Sequence, residues 1–234
     1  MTESPDDIRP VAILGMHRSG TSCLAGSLQL AGLYLGSVNE VAPYNAKGNR
    51  ENVVIMRLHD DVLAGNHGSW DHPPADPRWS ESARDRLMEI ISGYPADRAW
   101  GFKDPRTTVV LQGWLDARPD LRLVGSFREP MAVARSLQHR NGFPLATGLD
   151  LWLQYNQRLL AWHDRYGFPL VNFDLDEPEY RLRVASVSHT LGLPAPDVQA
   201  PFFDRSLRHN DGATDQPLPA AVQAVRDELI KRSV

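Results

Sequence analysis

The feature that most constrains the fold lies near the start of the chain, where the apolar run Val11-Ala-Ile-Leu14 stops at Gly15 and gives way to Met16-His-Arg-Ser-Gly-Thr-Ser22. A short run of consecutive apolar residues bounded by polar sequence is the pattern of a strand buried on both faces, as in a parallel sheet. Behind the loop, Leu24, Leu28 and Ala31 recur at helical spacing within Cys23–Gly32, with Gly32 as the expected C-cap. A strand feeding a helix through such a loop aims the helix's first unpaired N–H groups and its positive dipole end at the loop, which makes the loop a seat for an anion. Gly20 permits close backbone approach there, and Arg18, Ser19, Thr21 and Ser22 add donors. The alternative is a tight turn in which Ser19 and Thr21 only cap the helix.

The alternation continues along the chain. Strands are expected around Trp100-Gly-Phe102, across Leu121–Phe127 and at Leu170–Phe173, and helices over 52–65, 80–92, 107–117, 131–140, 149–165, 178–191 and 219–232. Pro130 stands where proline suits a first helical turn. Strands alternating with helices imply an α/β fold with a central parallel sheet covered by helices on both faces. The 234 residues, 42% hydrophobic, suit one domain over 10–234 behind a disordered tail, 1–9.

Charge and composition bound the function. With 29 acidic against 25 basic residues the net charge is −4, so no global field holds a nucleic acid and any anion binding is local. No apolar run reaches the roughly 18 residues of a membrane span, and the acidic start lacks the pattern of a signal peptide, so no membrane partner and a cytoplasmic address are expected. A single cysteine, Cys23, excludes an internal disulfide and argues against a Cys-based zinc site.

The nucleotide-triphosphate loop G-x-x-x-x-G-K-[ST] supplies the next comparison. Gly15 and Gly20 fit it, but Thr21 stands in place of the lysine, and the strand 121–127 runs on into Arg128 instead of an acidic residue suited to Mg²⁺. Both absences favour a donor whose transferring group carries less charge than a terminal phosphate and needs no metal. Separately, Arg128 at a strand end and Ser136 on the following helix could hold a phosphate monoester between them, where the plain alternatives are an ion pair of Arg128 with Glu129 or a neighbour and a solvent-facing Ser136.

Three segments carry a resemblance. His17-Arg-Ser-Gly-Thr-Ser22 resembles the 5′-phosphosulfate loop, [PH]-[KR]-S-G-T-[ST], of the sulfotransferases that use 3′-phosphoadenosine 5′-phosphosulfate (PAPS). Arg128-Glu-Pro-Met-Ala-Val-Ala-Arg-Ser136 resembles their 3′-phosphate element, and Gly101-Phe-Lys-Asp-Pro-Arg106 is similar to the K-D-P element of the tyrosylprotein, heparan and bacterial branches. The resemblance implies a P-loop-type three-layer sandwich, PAPS as donor with 3′,5′-diphosphoadenosine (PAP) as product, no metal, and transfer to a hydroxyl or amine of a small-molecule, natural-product or carbohydrate acceptor. It leaves a homodimer open. It also implies that His17, Arg18, Ser19, Gly20, Thr21 and Ser22 surround the phosphosulfate and that Arg128 and Ser136 hold the 3′-phosphate, with Arg208 closing over the nucleotide from Ser206–Asn210.

Sulfuryl transfer needs cations, an aligned acceptor and a base. Arg18 and Lys103 are the expected cations, the alternative for Lys103 being a salt bridge to Asp104 or a nearby acid. Tyr44–Asn52 looks like the N-x-K-G-x-x-E-N stretch of bacterial members, whose glutamate position falls on Glu51. Glu51 is therefore the expected base, against a helix-capping role, with His59 or His67 as runner-up. Trp70 and Trp79 are weighed equally between an acceptor pocket and loop packing, and Trp114, Trp152 and Trp162 are expected in the core. A P-loop kinase and a non-catalytic nucleotide-binding module remain as rivals.

Overall fold

The computed structural model describes residues 9–42, 47–196, 202–203 and 217–234. Its elements run β1 (Val11–Leu14), α1 (Thr21–Leu30), α2 (Val53–Gly65), α3 (Glu81–Ser92), β2 (Gly101–Lys103), α4 (Thr107–Ala117), β3 (Arg122–Phe127), α5 (Pro130–Asn141), α6 (Leu145–Tyr166), β4 (Leu170–Asn172), α7 (Glu177–Thr190) and α8 (Ala220–Arg232). The four strands form one parallel sheet in the order β2-β1-β3-β4, with Ile13 level with Lys103 on one side and Val124 on the other.

Period-2 alternation in β1 divides the core into two layers. Val11 and Ile13 pack with Leu24 and Leu28 of α1, Val124 of β3, and Val184 and Val187 of α7. Ala12 and Leu14 face the opposite way, into a larger cluster built from α2, α4, α5 and α6 that includes Phe102, Trp114, Leu137 and Trp152. The sheet is thus covered on both faces, which is the α/β arrangement expected from the alternation. Trp114 and Trp152 are wholly buried, and the Trp114 ring stacks on Phe102 at 3.8 Å.

Boundaries moved where local chemistry differs from periodicity. The first helix starts at Thr21, and its C-cap is Ala31, leaving Gly32 (φ 96°) one residue beyond. Helix α6 begins at Leu145, ahead of the expected 149, because Gly148 lets it approach α5: a Cβ there would lie 2.8 Å from the Cα of Ala134. Trp79 is a packing residue. It lies over Gly113, where a Cβ would be 2.3 Å from the ring, and its indole donates at 3.0 Å to the Val110 carbonyl, at the residue where α4 kinks (φ −105°, ψ 16°). Residues 1–8 of the expected tail lie outside the described residues. Among the described residues, no helix is long and apolar enough to cross a membrane.

Candidate active site

All four strands point the same way, so their C-terminal ends meet at one edge. Strands β1 and β3 are neighbours, and the chain leaves β1 toward β2 on one side and β3 toward β4 on the other. The C-terminal loop of β1 therefore lies at the switch point, where open parallel sheets gather ligands.

That loop needs its glycines. Gly15 has φ 138°, and a Cβ on it would lie 2.3 Å from the Ser126 carbonyl oxygen; Gly20 has φ 80°, and its Cβ would lie 2.3 Å from the Phe173 ring. Arg18 is also left-handed (φ 67°), a conformation costing a non-glycine residue about 1–2 kcal/mol. Three bonds hold the strained loop. Gly15 N–H donates to Thr108 Oγ1 at 2.9 Å, Ser126 Oγ donates to the Ser19 carbonyl at 2.7 Å, and Ser22 Oγ donates to the Asn49 carbonyl at 3.0 Å.

The capping alternative is not what forms. Helix α1 starts from Gly20 with no side-chain cap and no acidic residue in its first turn. Thr21 is buried with its methyl toward Gly15, and the buried Ser19 hydroxyl has no hydrogen-bond partner. The first turn thus keeps its positive end without an internal counter-charge.

Arg18 turns from the loop to α5, donating from Nε to Ser136 Oγ at 2.7 Å. Burial, with the positive charges of Arg140 and Arg128, lowers its pKa to about 10. Arg140 stands four residues beyond Ser136, one turn further along the same helix face. Arg128 is buried where β3 ends, with its guanidinium 5.4 Å from the Phe173 ring centroid and its Nε 3.5 Å from Asp174 Oδ1. Of the ion pairs considered for it, the one with Glu129 does not form, because Glu129 pairs with Arg226 at 2.6 Å, and the neighbouring acid it meets is Asp174. Three guanidiniums therefore gather beside an uncapped helix start, an arrangement that favours an anion.

Next to this cluster, Lys103 Nζ donates to Glu51 Oε1 at 2.6 Å, with the two side chains 1% and 8% exposed. For Lys103 the alternative of a salt bridge to a nearby acid is what forms, with Glu51 as the partner in place of Asp104, whereas the helix-capping reading of Glu51 fails. Asp104 turns to other partners, and the cap of α2 is Asn52, whose Oδ1 accepts from Val54 N–H at 2.9 Å. The Glu51 backbone is fixed too, its carbonyl accepting from Asn39 N–H at 3.0 Å.

His17 lies between these groups, with its ring 4.6 Å from Trp70 and 6.2 Å from Tyr155. Burial, then the charges of Arg106 and Arg140, pushes its pKa well below the usual histidine value, so the ring is neutral, and its buried Nε2 has no hydrogen-bond partner. Trp70 covers it, held by Tyr155 Oη donating to the Trp70 carbonyl at 2.8 Å, with Arg140 5.2 Å from the indole.

The other two histidines considered are placed elsewhere. His59 is fully buried: its Nδ1 lies 2.8 Å from Asp104 Oδ2, and its Nε2 accepts from the Trp114 indole at 2.8 Å. His67 is exposed just past the far end of α2, which at 1.5 Å per residue is roughly 20 Å from Glu51. Arg208 and His209 lie outside the described residues. The groups that sequence reasoning left out are Arg140, Thr108, Arg106 and Phe173. Arg140 carried a signal in its spacing of four from Ser136, and Arg106 in closing the segment Gly101–Arg106.

The chain is similar to several solved structures of sulfotransferases. The sulfotransferase domain of the Synechococcus PCC 7002 olefin synthase superposes with a TM-score of 0.59 at 16% identity, over 95% of this chain and 94% of that one. The chain has the sulfotransferase fold. The sulfotransferase domain from the curacin biosynthetic pathway matches at 0.56 and 16% identity, over 94% and 96% of the two chains. A sulfotransferase from Alicyclobacillus acidocaldarius matches at 0.51 and 17% identity, over 97% of each. No protein-family model matches the chain, and no curated protein does. Within this sulfotransferase fold, the loop after β1, the start of α5 and the end of β2 converge on one edge of the sheet.

Proposed function

We propose that this protein is a sulfotransferase that moves a sulfonate from PAPS to a hydroxyl or amine of a small-molecule, natural-product or carbohydrate acceptor. The observation carrying the proposal is the 2.7 Å bond from Arg18 to Ser136, which brings the first loop and the β3–α5 corner to a separation that one nucleotide can bridge.

The residues present fit such a donor. The uncapped turn of α1, the unpartnered Ser19 hydroxyl and the close backbone at Gly20 suit a phosphosulfate, with His17, Arg18, Thr21 and Ser22 completing the loop. Ser22 acts through its backbone, since its hydroxyl is engaged with Asn49. Arg128 and Ser136 suit a phosphate monoester, the guanidinium supplying a fork of donors. Bound PAPS supplies an activated sulfonate and a stable phosphate leaving group. Glu51 takes the proton from the acceptor, its negative charge being offset by Lys103 until then, and Lys103, released from that pairing, together with Arg18 offsets the charge developing on the transferring sulfonate and the leaving phosphate.

Thermal unfolding with PAP, and separately with ATP and Mg²⁺, tests the proposal, because a ligand that binds only the folded state raises the melting temperature. PAP is expected to stabilise the protein by several degrees, and radiolabelled PAPS to label an acceptor from a panel of phenols, alcohols, amines and sugars. Stabilisation by ATP and Mg²⁺ alone would replace this reading with the kinase one.

A further inference from the structure

The end of β2 and the segment after it are laced to the segment around α2 by three polar rungs. Lys103 meets Glu51 at 2.6 Å, Asp104 meets His59 at 2.8 Å, and Arg106 Nε meets Asp60 Oδ1 at 2.6 Å. The middle rung is wholly buried, so neither of its side chains touches solvent or any ligand. Its hydrogens are assigned by its neighbours. The Trp114 indole can only donate, so His59 Nε2 is the acceptor and Nδ1 carries the proton given to Asp104 Oδ2. The other Asp104 oxygen accepts from Arg106 Nη1 at 2.9 Å and from the Arg106 backbone N–H at 3.2 Å. Burial would raise the Asp104 pKa, but the His59 hydrogen bond and the Arg106 charge hold it well below the ordinary carboxylate range.

A buried ionic network of this kind is costly, and apolar side chains of similar volume fill such space at least as well. What it provides is directionality. Each acceptor position on Asp104 faces a donor, so the carboxylate admits one orientation, and Asp104 is bonded through the backbone to Lys103. His59 stands on the helix whose first turn follows Glu51 and Asn52 directly.

We propose that Asp104 and His59 are positioning residues, with Trp114 fixing the tautomer, and that together they set where the Lys103 ammonium meets the Glu51 carboxylate. The role in catalysis rests on the sulfuryl-transfer reading above. The placement of Lys103 does not, and the experiment separates the two.

The chain has three lysines, Lys47, Lys103 and Lys231, so the ammonium signal of Lys103 can be assigned by nitrogen-15 NMR of the intact protein, using Lys103→Met as the blank. Asp104→Asn turns one acceptor into an amide donor that faces another donor. The Lys103 ammonium protons are then expected to exchange with water at least about tenfold faster, as the held geometry opens locally. In the sulfation assay kcat is expected to fall by about 100-fold, the order a misplacement of about 1 Å produces, with PAP affinity within about twofold of wild type. Adding Trp114→Phe frees His59 Nε2 to carry the proton and Nδ1 to accept from the amide that Asp104→Asn introduces, so the double variant is expected to recover part of both losses.

Where Asp104→Asn does not fold, Trp114→Phe alone keeps the aromatic stack and the carboxylate, and is expected to move exchange and kcat in the same direction. Unchanged Lys103 exchange in the folded variant overturns the proposal. So does a loss of PAP affinity parallel to the loss of kcat, or a double variant no better than Asp104→Asn. A wild type that binds no PAP overturns the transfer reading instead, and the Lys103 exchange rates then decide the positioning role by themselves.

Discussion

The Lys103–Glu51 pair is both the proposed chemical centre and a buried salt bridge, and double substitution separates the two roles. The side chains are 1% and 8% exposed and meet at 2.6 Å, so both charges are largely desolvated. Removing one partner of such a pair leaves a buried charge without compensation, at a cost of about 3–5 kcal/mol. For a chain of this length each kcal/mol lowers the melting temperature by about 2–4 °C, so Lys103→Met is expected to lose roughly 6–20 °C. Glu51→Gln strands the ammonium in the same way. Combining Lys103→Met with Glu51→Gln removes both charges, and the stability is expected to return to within about 1–2 kcal/mol of wild type, which makes the coupling between the sites at least about 4 kcal/mol. Transfer of sulfonate should not return with it, because the double variant lacks both the cation and the base and should stay at least about 100-fold below wild type. The assay is thermal unfolding of the four proteins beside turnover of PAPS. A Lys103→Met variant as stable as wild type would refute the desolvated pair, and a double variant with near-normal turnover would refute its part in the chemistry.

Other parts of the site answer to separate measurements. Arg128→Ala and Ser136→Ala are each expected to weaken PAP binding by about 1.5–3 kcal/mol, the range of hydrogen bonds to charged groups, and calorimetry that finds wild-type affinity would remove the 3′-phosphate assignment. His17 adds a pH dependence. Its neutral ring, held so by burial and by Arg106 and Arg140, refuses a proton that the unfolded chain accepts below about pH 6.5, so stability falls as the pH drops through that value, by up to about 1.4 kcal/mol per unit. Denaturant midpoints between pH 7 and 5 should show a shallower slope in His17→Asn than in wild type, and equal slopes would contradict a neutral His17. Gly20→Ala places a methyl 2.3 Å from the Phe173 ring at φ 80°, so it should destabilise the protein by about 1–2 kcal/mol from backbone strain plus the clash; Phe173→Ala should relieve only the clash in a double-mutant cycle.

What the sequence made legible follows from which forces act locally. Strand and helix positions were readable because burial on both faces of a parallel sheet imposes runs such as Val11–Leu14, and because period-3.6 stripes, Pro130 and the glycines punctuate the rest. The loop residues proposed to face a phosphate were readable for a related reason. Close backbone approach admits glycine at 15 and 20, and an uncapped helix start recruits donors from adjacent positions in the chain. The partners of those residues were another matter. Nothing in the order of letters says that Lys103 prefers Glu51 over its neighbour Asp104, that Asn52 takes the cap of α2 and so leaves Glu51 to the lysine, or that Glu129 is drawn off by Arg226 nearly a hundred residues away. The first two choices are made by the packing of α2 against α4 and by its contact with the segment after β2, the third by α8 meeting the start of α5. The packing of α2 puts His59 between Asp104 and Trp114 and makes a residue that reads as a catalytic base into one whose two nitrogens are engaged inside the core. A histidine's chemistry is set by what its nitrogens face, and in this fold that is decided by contacts 45 and 55 positions away along the chain.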